Sequence, residues 1–395
     1  MEWEREQWIQ EYEGGQRVSE IARRHQISRK ALYKWIERYQ EYGVAGLNDL
    51  SRAPEQHPRA VSELWRQRIR GARQQQPRWG APKLAWWLEQ RHGGDELPSV
   101  STIGRVLRDS GLSWSRRRVK AHGTGELEPA ERANQVWAID FKGWCRTGDG
   151  ARCEPLTISD QATRYLLCCQ ALSSTRTELV RPVMERVFAE YGLPERIRSD
   201  NGAPFGAKGE CGLTELAVWW IELGIHSERI DPGHPQQNGR HERMHRTLQE
   251  ATMEPPASTA RQQQRRLEAF RREYNERRPH QALGQQVPAS LFWPSPRIYR
   301  EPGHEPEYGS SWPVRKVDGG RIRWPGGKIF LSHALNGKLV GLEPIEEGLW
   351  KLWFHRYWLG MWDAGEGRFW HRREWAAQRA RRSAQQGCAS GSLRE

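Results

Sequence analysis

The 395-residue sequence contains no run of about 18 apolar residues, so nothing in it reads as a bilayer-spanning helix. Its opening, MEWEREQWIQEYEGG, is charged throughout and lacks the basic stub and apolar stretch of a secretory signal. Together these absences predict a soluble, cytoplasmic chain without a membrane partner. Cysteine is scarce. The six (Cys145, Cys153, Cys168, Cys169, Cys211 and Cys388) form no CxxC pair and no spacing typical of structural zinc, which predicts reduced thiols. Cys168 and Cys169, inside the apolar RYLLCCQAL, are expected to be buried strand residues. No fixed-period repeat is present. Negative charge is in deficit, with 49 Asp+Glu against 62 Lys+Arg, a net charge of +13 and a pI near 9.7. Such a surface attracts a polyanion, and without a membrane segment nucleic acid is the partner expected. The length suits roughly two to four domains.

The N-terminal third reads as two small helical DNA-binding units, over residues 1–50 and 59–112. In the first, a short helix from Val18 to Arg24 and a break at His25 to Ile27 precede a helix capped by Ser28. Leu32, Trp35, Ile36 and Tyr39 recur at helical spacing and turn inward, leaving Arg29, Lys30, Tyr33 and Lys34 outward as the face of a recognition helix. A plain solvated basic helix is the alternative. In the second unit Ser99 or Ser101 is expected to cap a helix carrying Ile103, Val106 and Leu107. Residues 113–133 read as a linker whose basic half, Arg116, Arg117, Arg118 and Lys120, can lie along phosphates or stay solvated.

Three acids then stand out in the middle of the chain. Asp140 interrupts the apolar strand QVWAIDFKG, where a buried carboxylate is costly unless paired or bound to a cation. Asp200 ends the strand ERIRSDNG at an Asn-Gly turn, which by itself is ordinary turn chemistry. The β-β-β-α-β order suits a mixed sheet flanked by helices and brings these two acids side by side. Glu242 lies on a helix opening near Gly239, sharing a face with Arg246 and Gln249 and with His245 beside it. Alone it reads as a solvated helix acid.

WAIDFKG (137–143), IRSDNGAPF (197–205), HPQQNGRHERMHRTLQ (234–249) and YNERRPHQALG (274–284), in this order, resemble the integrase-core domain of bacterial insertion-sequence transposases, the DDE enzymes akin to retroviral integrases. The resemblance covers roughly residues 135–292. It implies a ribonuclease H-like catalytic core over 134–293 in which Asp140, Asp200 and Glu242 hold two divalent cations per active site, Mg2+ or Mn2+. Glu222 and Glu228 are the rivals for the third place, because residues 206–213 lengthen the second interval relative to many relatives. The implied function is a DNA transposase that binds the ends of an element, cleaves them and joins the 3′ ends to target DNA. The alternatives are a metal-dependent nuclease that only cuts, or a transposase-derived DNA-binding regulator. The resemblance also implies DNA contacts from His234, Gln236, Asn238, Arg246 and Gln249. Its implied partners are double-stranded DNA, as element ends and target, and further copies of the chain, as a dimer or larger. In a bacterial cell such a protein would be nucleoid-associated.

Residues 260–284 read as a basic amphipathic helix closing on an Arg-Pro-His turn. Short alternating strands over 312–372 predict a small β-barrel, with Arg315, Lys316, Arg321 and Arg323 able to meet phosphates. The Arg/Ala/Gln/Ser-rich segment 373–395 is expected to be a flexible tail. The expected architecture is thus multidomain α+β: helix-turn-helix units, a mixed-sheet core and a C-terminal barrel.

Overall fold

The computed structural model describes residues 2–50, 61–93, 96–113, 129–207, 209, 211–231, 234–303, 305–325, 327–372 and 374–375. Arg116, Arg117, Arg118 and Lys120, Cys388, the tail beyond Trp375 and the side chain of Gln236 lie outside the described part. The chain divides into two compact units, Met1–Glu63 and Leu64–Glu395.

The first unit is built from α1 (Glu2–Glu13), α2 (Val18–Arg24) and α3 (Arg29–Tyr42). Ser28 caps α3 by accepting a hydrogen bond from the Ala31 amide at 3.1 Å. Ile9, Ile21, Ala22, Leu32, Trp35, Ile36 and Leu47 close its core, and the Trp35 ring also lies under the Arg5 guanidinium at 3.9 Å. Of the helical stripe Leu32, Trp35 and Ile36 are buried, and Tyr39 packs half-buried against them. Arg29, Lys30, Tyr33 and Lys34 are exposed on the opposite face.

The second unit opens with α4 (Glu63–Gln75), α5 (Ala81–His92) and α6 (Val100–Asp109). Ser99, not Ser101, caps α6, its hydroxyl accepting from the Thr102 amide at 3.2 Å. Ile103, Val106 and Leu107 are buried against α5 residues Leu84 and Leu88 and their neighbours.

A mixed sheet follows, with strands β1 (Val136–Phe141), β2 (Cys145–Arg146), β3 (Arg152–Asp160), β4 (Leu166–Leu172), β5 (Arg196–Ser199) and β6 (His226–Arg229). Their order is β2-β3-β1-β5-β6, with β4 also on β3. β1 is antiparallel to β3 and parallel to β5, and β5 is parallel to β6. Four helices cover it: α7 (Thr177–Tyr191), α8 (Glu215–Glu222), α9 (Gly239–Thr252) and α10 (Ala260–Glu276). Alternation along the strands sorts the side chains. Trp137, Ile139, Leu156 and Ile158 pack with Val180, Met184, Phe188 and Trp220 of α7 and α8. On the other side, Leu166 and Cys169 meet Met244, Leu248, Leu267 and Phe270 of α9 and α10. Asn275 on α10 pairs with both backbone groups of Leu166, at 2.8 and 3.0 Å. This is the ribonuclease H-like mixed sheet expected for the core. Cys168 and Cys169 are buried free thiols within it, and burial holds the Cys168 thiol up at about 12.

The C-terminal strands are β7 (Val314–Lys316), β8 (Arg321–Trp324), β9 (Gly327–Phe330), β10 (Leu339–Glu346), β11 (Leu349–Phe354), β12 (Tyr357–Asp363) and β13 (Arg368–His371). They do not form the small β-barrel that the strand pattern predicts. β13-β12-β11-β10-β7 is an open sheet and β8-β9 a separate hairpin, and among the described residues no pairing joins β7 to β13. The physical reason lies in what covers the apolar face. Leu342, Leu352 and Phe354 pack with Ile322 and Ile329 of the hairpin and with Cys211, Leu213, Ala217, Val218 and Ile221 of the α8 region, so the face is buried without closure.

Candidate active site

β1 and β5 run parallel with Ala138 opposite Arg198, and two residues further on lie Asp140, near the end of β1, and Asp200, just past the end of β5. Parallel strands present their carboxyl ends at one edge, where open α/β sheets hold their ligands. Asp140 is half-buried there, and its carboxyl is raised from 3.8 to about 7. Burial is the largest cause, followed by the Asp200 charge. Glu242 adds to it, while the Phe141 amide and Lys142 oppose it. Burial also raises the Asp200 carboxyl, opposed by the Gly202 amide that its Oδ1 accepts at 3.2 Å. The Asx turn read from Asp-Asn-Gly is present, and the charge of the same residue acts on the other acid.

Glu242 sits in the first turn of α9, exposed, at the helix end that favours negative charge. Its rivals are paired elsewhere. Glu228 on β6 accepts from Arg198 at 2.6 Å, with Arg196 at 3.8 Å, and Glu222 on α8 pairs with Lys338 of the C-terminal region.

Beneath Asp140 lies a buried polar cluster that the sequence reading passed over. Thr157 and Ser159 on β3 point to the α9 side of the sheet, where His241 and His245 meet them. Thr157 Oγ1 is 2.7 Å from Nε2 of each imidazole and 3.0 Å from the Asp140 carbonyl oxygen. Ser159 Oγ is 2.8 Å from His241 Nδ1, and His245 Nδ1 is 3.8 Å from Asp140 Oδ2. Asp140, His241 and His245 each offer a donor atom within 4.8 Å of the others. Burial drives His241 down to about 3. It drives His245 to about 2, with help from His241 and Lys142, so both rings are neutral. The signal in the sequence was a pair of histidines at i, i+4 and two hydroxyls at i, i+2 flanking Ile158 in the strand segment PLTIS.

The remaining sequence candidates disperse. His234 and Arg246 are exposed. Asn238 is buried at 4 % exposure with its Oδ1 unpartnered, so it faces the interior rather than the solvent side. Gln249 donates to Glu254 at 2.6 Å. Arg164, which the sequence reading did not single out, lies close enough to Arg240 and Arg243 that their charges, added to its burial, lower it to about 10.

Comparison with known proteins agrees with this architecture. A helix-turn-helix domain is matched over residues 4–55 and a homeodomain-like domain over 31–107. Integrase core domains are matched over residues 130–235 and 223–288. The chain is 27 % identical over 202 residues to an uncharacterized 39.2 kDa protein of insertion element IS476 from Xanthomonas euvesicatoria, covering 50 % of this chain and 56 % of that one. It is 27 % identical over 193 residues to a 31.7 kDa protein of insertion element IS407 from Burkholderia multivorans, covering 48 % and 67 %. The Gag-Pol polyprotein of baboon endogenous virus matches at 33 % over 143 residues, 36 % of this chain and 8 % of that one. Among solved structures, a simian T-cell lymphotropic virus intasome chain is similar at 15 % identity and a TM-score of 0.37, covering 74 % of this chain and 97 % of that one. The HTLV-2 integrase catalytic core in complex with magnesium is similar at 11 % and 0.32, covering 40 % and 97 %. Helix-turn-helix domains thus precede integrase core domains in this chain, and about half of it is similar to insertion-element proteins, spanning little more than half the length of the IS476 protein.

Proposed function

We propose that this protein is a polynucleotidyl transferase that binds the ends of an insertion sequence, cleaves them to release a 3′-OH and joins that 3′-OH to target DNA. The observation that supports it is that the charges of Asp200 and Glu242 both act on Asp140, at the carboxyl edge of β1 and β5. The residues fit a hard divalent cation. Carboxylate oxygens are the ligands Mg2+ and Mn2+ accept, and a half-buried cluster of like charges is costly until cations balance it. When bound, two such ions supply Lewis-acid polarisation of the phosphodiester. Asp140 and Asp200 hold them from rigid strand ends, and Glu242 reaches the same point from α9. That Glu222 and Glu228 are both paired with cationic side chains supports Glu242 as the third acid.

DNA contacts are assigned to Arg29, Lys30, Tyr33 and Lys34 on α3, to the basic 113–133 linker, and to His234, Gln236, Arg246 and Gln249 around the core. In this division of labour the units at 1–50 and 59–112 choose the ends and the core at 134–293 performs the chemistry, in a dimer or larger assembly on DNA at the nucleoid. Incubation with a library of random-end duplexes and Mg2+, followed by sequencing of bound and joined products, tests the reading. Joined 3′ ends are expected. Cut but unjoined ends would favour a nuclease, and bound but uncut ends a regulator.

A further inference from the structure

The cluster under Asp140 fixes where its protons are. Thr157 Oγ1 has one proton and two lone pairs for three partners. The Asp140 carbonyl can only accept, so it takes the hydroxyl proton. Both imidazoles must then donate to Thr157 from Nε2. His241 is completed on its other side, where Nδ1 accepts from the Ser159 hydroxyl. His245 is not: its Nδ1 carries a lone pair, and the group it faces is the Asp140 carboxylate, with Oδ2 at 3.8 Å. His245 as a residue is only 6 % exposed.

With Asp140 ionised, two acceptors turned on each other repel, and the arrangement makes sense as a donor pair for a third, positive body. The 3.8 Å separation is shorter than the span of two bonds of about 2.1 Å each to one ion. We propose that His245 Nδ1 is a ligand of the cation held by Asp140, giving that position a mixed nitrogen–oxygen donor set while His241 serves only to orient Thr157. It rests on the reading of Asp140 as a cation ligand. Imidazole suits first-row transition ions better than Mg2+, so this position prefers Mn2+ to Mg2+ more strongly than carboxylates alone would. Thr157 acts as the positioning residue, because a hydrogen bond to one imidazole nitrogen decides which nitrogen is left to bind the metal.

The test is pulsed electron paramagnetic resonance on the full chain titrated with MnCl2. Bound Mn2+ is expected to show 14N modulation that changes to the 15N frequency when the protein is made with 15N-histidine, a readout that needs no variant. His245→Gln, which keeps a donor toward Thr157 but has no Nδ1, is expected to lose the modulation and to weaken Mn2+ binding by roughly tenfold or more. Mg2+ binding should weaken less. His241→Gln should retain the modulation. Mn2+ bound in an Asp140-dependent way without histidine modulation would overturn the inference and leave the two-cation reading standing. Absence of Asp140-dependent Mn2+ binding would overturn both.

Discussion

Asp140 and Asp200 stand at equivalent positions on two adjacent parallel strands, each two residues beyond the Ala138–Arg198 pair, and the charge of Asp200 raises the Asp140 carboxyl. A fold spends no such pairing on stability, because two like charges in a half-buried site oppose folding. Asp140→Asn, Asp200→Asn and Glu242→Gln should therefore each lower cleavage and joining by roughly a thousandfold or more, the rate equivalent of several kcal/mol of lost charge stabilisation. Duplex binding should remain nearly intact in a gel-shift assay. A dead Glu228→Gln beside an active Glu242→Gln would reassign the third acid.

The same pair sets a pH dependence. Asp140 has its ordinary value of 3.8 in the unfolded chain and about 7 in the fold. Between the two the folded chain retains a proton that the unfolded chain has released. In the absence of divalent cations stability thus declines as pH rises through that window and levels off above it. Asp140→Asn should raise the melting temperature of the cation-free protein above pH 7 and leave it unchanged near pH 4. Thermal melts at both pH values measure it, and an equal shift at both would refute it.

Removal of residues 1–112 should abolish preference for particular element ends and leave weak, salt-sensitive binding by the rest of the chain. In the proposed reading the exposed Arg29, Lys30, Tyr33 and Lys34 contact bases, whereas phosphate contacts carry affinity without sequence choice. Selection from a random library, before and after truncation, reads this out. Undiminished selectivity would move recognition to the C-terminal sheet.

The C-terminal sheet depends on α8 for cover. Val218 is 3 % exposed within the cluster that includes Leu342 and Leu352, so Val218→Asp buries an unpaired charge at that contact. It should destabilise the docking by about 2–4 kcal/mol and expose a cleavage site between the core and the sheet. Limited proteolysis yielding the same pattern as the parent chain would show that the two parts hold together without this contact.

Both ends of an element must reach one target, and a symmetric oligomer holds two active sites at a fixed distance with one repeated interface. Adding Asp140→Asn protein, which binds without cutting, should therefore suppress paired-end joining beyond simple dilution. Joining in strict proportion to the intact fraction, with light scattering showing one chain per duplex, would favour the nuclease.

What the sequence determined by itself is what depends on neighbours along the chain. Ser28 and the Leu32, Trp35, Ile36 stripe define α3 because capping and helical periodicity act over a few residues. The acids in AIDF and SDNG are legible because a carboxylate in an apolar strand contradicts its surroundings. Only the tertiary structure decided the rest. That Glu228 and Glu222 have cationic partners depends on Arg198 reaching the one and Lys338 the other, pairings across elements. The barrel gave way to an open sheet because α8 and a hairpin bury the apolar face, and strand alternation is the same whether a face is covered by its own sheet or by a helix. The Thr157 cluster was hidden for the same reason. His241 and His245 lie 84 and 88 residues from the hydroxyl that orients them, and a histidine's tautomer is set by the atom it touches, not by its place in the chain.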